Sequence, residues 1–253
     1  MWAGGALTAL TASLEIGANH PQITYYFLLA MAAFWISEGI AALRDKRLGD
    51  FWKRTAVLAA AGILAAGSNF SPLWYTASHS KETMRGGSEL ASTSETSQDG
   101  LALDYATAWS YGRTESLNLL IPDFMGGDSG RAFTRDGEVA KALKPYGLDS
   151  FAEQLPAYWG EQPYTAGPTY LGAAALFLAL LGLLLASGRN KWWIAAVSLL
   201  TLLLAWGHNF MGFTEFAFKY LPGYNKFRTV SMALVVVEWT VPLLAALALM
   251  PLW

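Results

Sequence analysis

The chain has 253 residues, of which 14% are charged, and its formal net charge is −2. An ordinary globular chain carries roughly 25% charged residues, so the composition argues against a soluble domain. The absence of a basic surplus argues against nucleic acid as a partner. Cysteine is absent, which excludes disulfides and thiolate metal sites and leaves the redox compartment open.

In chain order, Met1-Trp2-Ala3-Gly4-Gly5 lacks a charged n-region. No signal peptide is therefore expected, and the hydrophobic helices themselves would direct insertion. The apolar segment 3–16 is too short for a span and reads as a half-helix, an interfacial helix or the remnant of a span. Five later stretches approach the ~20 residues that a crossing requires: 21–43, 55–76, 168–187, 192–206 and 229–250. The expected fold is all-α, a polytopic transmembrane helical bundle of about five spans with a large extracytoplasmic loop region. It divides into a membrane segment 1–76 with two spans, a loop 77–167, and a membrane segment 168–253 with three spans.

Orientation follows from the short connections. Arg44, Lys46, Arg47, Lys53 and Arg54 lie between the first two spans, and Arg189 and Lys191 lie between the third and fourth. The positive-inside rule places both connections in the cytoplasm and the long loop outside. Eleven Trp and eleven Tyr suit two interfacial belts. Within the loop, residues 78–167 carry seven Lys/Arg and thirteen Asp/Glu, so the loop is acidic. Residues 86–100 read as flexible from their Ser, Thr and Gly content, and residues 135–148 as a short surface helix ended by Gly147.

Four constellations carry candidate chemistry. Glu15, Asn19, His20 and Gln22 cluster just outside the first span; they suit a sugar, a phosphate or a metal, or else simply cap the helix that opens at Pro21. Trp109-Ser110-Tyr111-Gly112 with Glu115 sets aromatics beside a carboxylate. That suits sugar stacking and base catalysis, or equally packing of the loop onto the bilayer. Tyr158-Trp159-Gly160-Glu161-Gln162-Pro163 forms an aromatic entry to the third span, either a binding edge or an interfacial belt. Gly223-Tyr224-Asn225-Lys226-Phe227-Arg228 sets Lys226 and Arg228 at the outer mouth of the fifth span, with His208 opening the same loop. There an arginine either grips a phosphate or snorkels to headgroups. Glu238, ten residues beyond Arg228, falls ~15 Å deeper along a helix, where an ionisable group marks function unless it is paired or protonated. Glu38 reads as interfacial, within reach of Arg44.

Together with Ala18-Asn19-His20-Pro21-Gln22-Ile23-Thr24-Tyr25-Tyr26, these strings resemble the YfhO family of bacterial membrane proteins, over about residues 5–250. The resemblance implies a GT-C-like glycosyltransferase of the bacterial cytoplasmic membrane. Its donor would be a polyprenyl-phosphate-sugar and its acceptor a cell-envelope glycan or lipid. It implies that Arg228 meets the donor phosphate and that Asn19, His20 and Gln22 line the same cavity. Trp109, Tyr111, Tyr158, Trp159, His208 and Lys226 complete the expected substrate-binding set. The family's usual catalytic acid lies in a first outer loop that this chain does not show. The expectation is therefore an internal or N-truncated piece in which Glu15 or Glu115 takes that part. A divalent metal ion is a candidate cofactor beside the cationic side chains. The competing class is a non-catalytic transporter, flippase or scaffold whose loop binds a glycan or a partner.

Overall fold

A computed structural model describes residues 1–79 and 101–250, and apart from one isolated bridge between Ala132 and Pro156 every regular element in them is helical. Residues 86–100, expected to be flexible, lie outside the described residues. Helix α1 (Trp2–Gly17) is followed by α2 (Pro21–Arg44), α3 (Leu48–Ser68) and α4 (Phe70–His79). The long connection carries the short helices α5 (Leu103–Thr107) and α6 (Glu138–Leu143). It leads to α7 (Ala173–Leu185), α8 (Asn190–Ala205), α9 (Met211–Tyr220) and α10 (Leu234–Leu249).

Two of the expected spans form as single long apolar rods among the described residues, α2 and the continuous stretch Val230–Leu249. Two more are bent pairs, α3 with α4 at 75° and Leu48–Ser68 and Phe70–His79 as its limbs, and α8 with Gly207–Tyr220 at 112°. The described residues thus hold two to four candidate membrane spans, and these apolar helices mark a membrane protein. Each bend has a local cause. Asn69 ends α3 and turns its amide back onto Ala65 O and Ser13 O, each at 3.0 Å. Pro72 then sits in the first turn of α4, where a missing N–H does no harm. After α8, Gly207 takes φ +48, a left-handed geometry that suits glycine.

The expected span 168–187 differs most. Only Ala173–Leu185 is helical, 13 residues or ~20 Å, against a hydrocarbon core of ~30 Å. Gly172 at φ +88 starts the helix late, and Gly188 at φ +98 lies just past its end. Residues 135–148 are shorter than expected too: α6 covers Glu138–Leu143, a 3-10 turn Lys144–Tyr146 follows, and Gly147 at φ +72 ends it.

The bundle is built around α10, which packs along α7 and α8, while α2 packs on α8 and α1 on α3. Gly182 makes the closest approach: a Cβ placed there would stand 2.0 Å from Leu244 O on α10. Ring pairs lock α2 to its neighbours, Phe27 to Trp239 at 5.5 Å and Phe34 to Trp193 at 5.4 Å. The Ser198 and Thr240 hydroxyls meet at 2.7 Å between α8 and α10, and Thr201 and Thr240 also bond carbonyls one turn back. These hydroxyls need no water inside an apolar interface. Glu38 pairs with Arg189, which sets both basic connections at one end of the bundle. Residues 101–172 fold over the other end.

Gly182→Ala forces α7 and α10 apart and should cost about 1–3 kcal/mol, as overpacking does. Thermal unfolding in detergent, followed by tryptophan fluorescence, checks this. Gly62→Ala on α3, where an added Cβ meets nothing within 4 Å, should leave the midpoint in place.

Candidate functional site

Residues 101–111 are stitched across the loop end by backbone hydrogen bonds. Leu101 N–H donates to Asn225 O (2.9 Å), Thr229 N–H to Ala106 O (2.9 Å), Ser231 N–H to Trp109 O (3.2 Å) and Tyr111 N–H to Ala205 O (2.8 Å). Buried Ser110 adds a side-chain link, accepting from His208 N–H at 2.9 Å and donating to Thr107 O at 2.6 Å. Gly207 is needed beside it, since a Cβ there would stand 2.0 Å from Ser110 Oγ.

The next turn, Thr114–Leu119, buries Glu115. Its carboxylate accepts from Gly112 N–H (3.0 Å), Tyr158 OH (2.7 Å) and Gln162 Nε2 (2.9 Å). The Tyr158 oxygen accepts in turn from Gln162 N–H at 2.9 Å. Charge-assisted bonds of this kind offset the burial of a carboxylate. Burial first, and then its bond to Glu115, push the Tyr158 phenol well above its usual range, so it stays a donor. The network ties the Tyr158–Gln162 stretch to the Gly112 turn.

Below this lid lies a cavity of about 260 Å³ lined by His20, Tyr111, Gln162, Ser231 and Glu238 among others. The Tyr111 ring is 1% exposed, and neither its hydroxyl nor Asn118 Nδ2 makes a hydrogen bond of full geometry. Burial chiefly, then the Glu115 charge, raise the Tyr111 phenol above its usual range; the Asn118 side chain partly offsets this and the Glu238 charge adds to it. Tyr111 therefore offers a neutral O–H. Glu238, on the second turn of α10, is exposed to the cavity side and makes no hydrogen bond or ion pair among the described residues. Because α10 is entered through Thr229 at φ +58 and a 3-10 turn Val230–Ala233, residues of the long connection line the same cavity as a carboxylate deep in the apolar segment.

The residues singled out from the sequence divide. Glu115, Tyr111 and Tyr158 come together, and His20 joins Tyr111 at the cavity. Gln22 is buried and donates to Arg228 O at 2.6 Å, lying 3.2 Å from Tyr26 OH, so it pins the lead-in to α10. Glu15 accepts from Thr24 Oγ1 at 3.0 Å, and Asn19 is an exposed turn residue at φ +56. Trp109 donates to Tyr164 O at 3.1 Å, while Trp159 stacks on Phe133 at 6.4 Å. His208 Nδ1 lies 3.1 Å from Thr107 O. Arg228 donates to Tyr105 OH at 2.6 Å and stands over that ring, and Lys226 is half-buried nearby in sequence. Gln162, Ser231 and the link of Glu238 to the loop were not expected. Gln162 stood unassigned within a singled-out string, and nothing in the sequence marks Ser231. No group of three or more His, Asp or Glu side chains placed to hold a metal ion occurs among the described residues.

Comparison with family models, with curated proteins and with solved structures returns no match to this chain.

Glu115→Ala strips the acceptor from the Tyr158 hydroxyl and the Gln162 amide. It should cost several kcal/mol, at ~1–3 per buried group left unsatisfied, and hasten proteolysis within residues 101–172. Glu115→Gln should fall between the two proteins. Limited proteolysis with thermal unfolding checks both. The raised phenols set a pH response: Tyr111 and Tyr158 hold their protons more tightly in the fold than unfolded. Their contribution is whole below about pH 10, near the free-tyrosine value, and is lost as pH rises further and the unfolded chain ionises first. Tyr158→Phe should flatten that alkaline decline, measured by unfolding midpoints across the range.

Proposed function

We propose that the chain is the membrane part of an inverting glycosyltransferase that uses a polyprenyl-phosphate-linked sugar, with its reacting centre in the cavity beneath the long connection. The observation that carries this reading is the Glu238 carboxylate, set in an apolar segment yet facing a cavity shared with His20, Tyr111, Gln162 and Ser231. Such a group in a membrane helix marks a functional site by default. The resemblance to the YfhO family supplies the substrate class.

In this reading Glu238 accepts the proton of the acceptor hydroxyl. The freed oxygen attacks the anomeric carbon, the bond from that carbon to the phosphate oxygen breaks, and polyprenyl phosphate leaves with the electron pair. Tyr111, kept neutral, donates to a sugar hydroxyl, and His20 and Gln162 orient the others. Arg228, held on Tyr105 at the same end of the bundle, balances charge on the departing phosphate. Glu115 positions the lid rather than exchanging protons, because it is buried and already held by three donors, Gly112 N–H, Tyr158 OH and Gln162 Nε2. With the basic connections cytoplasmic by the positive-inside rule, the cavity opens on the outer face.

In nanodiscs containing the full chain, polyprenyl-phosphate hexoses should raise the melting temperature and release polyprenyl phosphate when an acceptor is present. Glu238→Gln should slow release roughly 10²–10⁴-fold, the span of general-base contributions, with Glu215→Gln unchanged. The reading fails if no such donor shifts the melting of the unaltered protein, or if Glu238→Gln releases phosphate at the full rate.

A further inference from the structure

A second, larger cavity lies at the opposite end of the molecule. It is a groove of about 1020 Å³ between α1, α2 and α3. One wall is Asp50, Arg54 and Leu58, spaced so that they share one face of α3, with Arg47 at the N-cap just before it. Its α2 wall is Leu28, Met31, Trp35 and Glu38, again on one face, and α1 contributes the small residues Gly4 and Thr8. One stretch of the groove is therefore apolar and the other carries the guanidinium groups of Arg47, Arg54 and Arg189.

The charges are arranged unevenly. Arg47 is held by Asp45 and Arg189 by Glu38, which fixes two planar forks while leaving further N–H donors on each. Arg54 makes no hydrogen bond or ion pair among the described residues. Arg47, Arg54 and Arg189 line the groove beside the carboxylates of Glu38 and Asp50, and Asp50 also faces Lys53 at 3.8 Å. Trp35, Phe51 and Trp52 cluster at 5.3–6.2 Å beside the groove, with Trp35 Nε1 donating to Thr55 Oγ1 at 3.1 Å. Amphipathic indoles of this kind sit at headgroup depth.

We propose that this groove holds one anionic phospholipid, its acyl chains along Leu28, Met31 and Leu58 and its phosphate among Arg47, Arg54 and Arg189. The charge complementarity decides the occupant. An apolar wall alone takes any acyl chain, but a zwitterionic headgroup would bring a further cation beside three guanidiniums, of which Arg54 has no partner among the described residues. A bound anion supplies Arg54 with the partner it lacks and screens the three guanidiniums from one another. The proposal is independent of the cavity at the loop end.

Native mass spectrometry of the full chain tests it, after exchange into micelles carrying phosphatidylglycerol, phosphatidylcholine or glycerol phosphate alone. One phosphatidylglycerol per chain should be retained, in several-fold preference to phosphatidylcholine, and glycerol phosphate should not compete. Arg54→Gln should cut that preference roughly five-fold, the weight of one cation near an anionic surface. Ala32→Trp, which fills the wall and leaves the arginines intact, should reduce retention of both lipids. Circular dichroism confirms that each variant keeps its helices. Equal retention of the two lipids overturns the proposal. So do unchanged preference in Arg54→Gln, competition by glycerol phosphate, and a lipid-free dimer that covers the groove with a second copy.

Discussion

The backbone bonds that run from Leu101, Ala106, Trp109 and Tyr111 to Asn225, Thr229, Ser231 and Ala205 set what the rest of the molecule can do. They hold a polar, aromatic stretch of the long connection against the entrance to α10. The bundle alone would present Glu238 to hydrocarbon, where a carboxylate is costly. With the stretch in place, Tyr111 and Gln162 face the same space as Glu238, and the carboxylate has polar company without leaving its helix. Glycine at 207 is part of the same constraint, since the turn from α8 must clear Ser110.

Two networks then divide the work. Around Glu115 three donors converge on one buried carboxylate, so that network fixes geometry. Around Glu238 the polar atoms are left open: the Tyr111 hydroxyl and the carboxylate itself take no full hydrogen bond from the protein. A site that binds something is expected to look like the second and to be braced by something like the first.

Much of this was legible in the residues. The runs at 21–43 and 229–250 are apolar enough that length alone finds them, even with Pro242 inside the second. The strings around Trp109, Tyr111, Glu115 and Tyr158 stood out because aromatics and a carboxylate were crowded between turn residues. Hydropathy could not see that Gly172 and Gly188 trim the third run to Ala173–Leu185, or that Asn69 and Gly207 bend two others, because backbone dihedrals do not enter an apolar average. The 3-10 turn at Val230–Ala233 and the descent of the connection to meet it are long-range packing, which no local pattern encodes. Glu38 was expected near Arg44 by sequence proximity, but its partner is Arg189, 151 positions away.

The claim on which everything turns is that Glu238 opens toward the long connection rather than toward lipid or the basic end. The chain has no cysteine, so a single Glu238→Cys substitution gives a unique label in sealed, oriented vesicles. A membrane-impermeant maleimide should modify it only from the side that carries the long connection, and Lys191→Cys only from the other. Failure of Glu238→Cys to react from either side in folded protein, or its reaction from the same side as Lys191→Cys, would contradict the account.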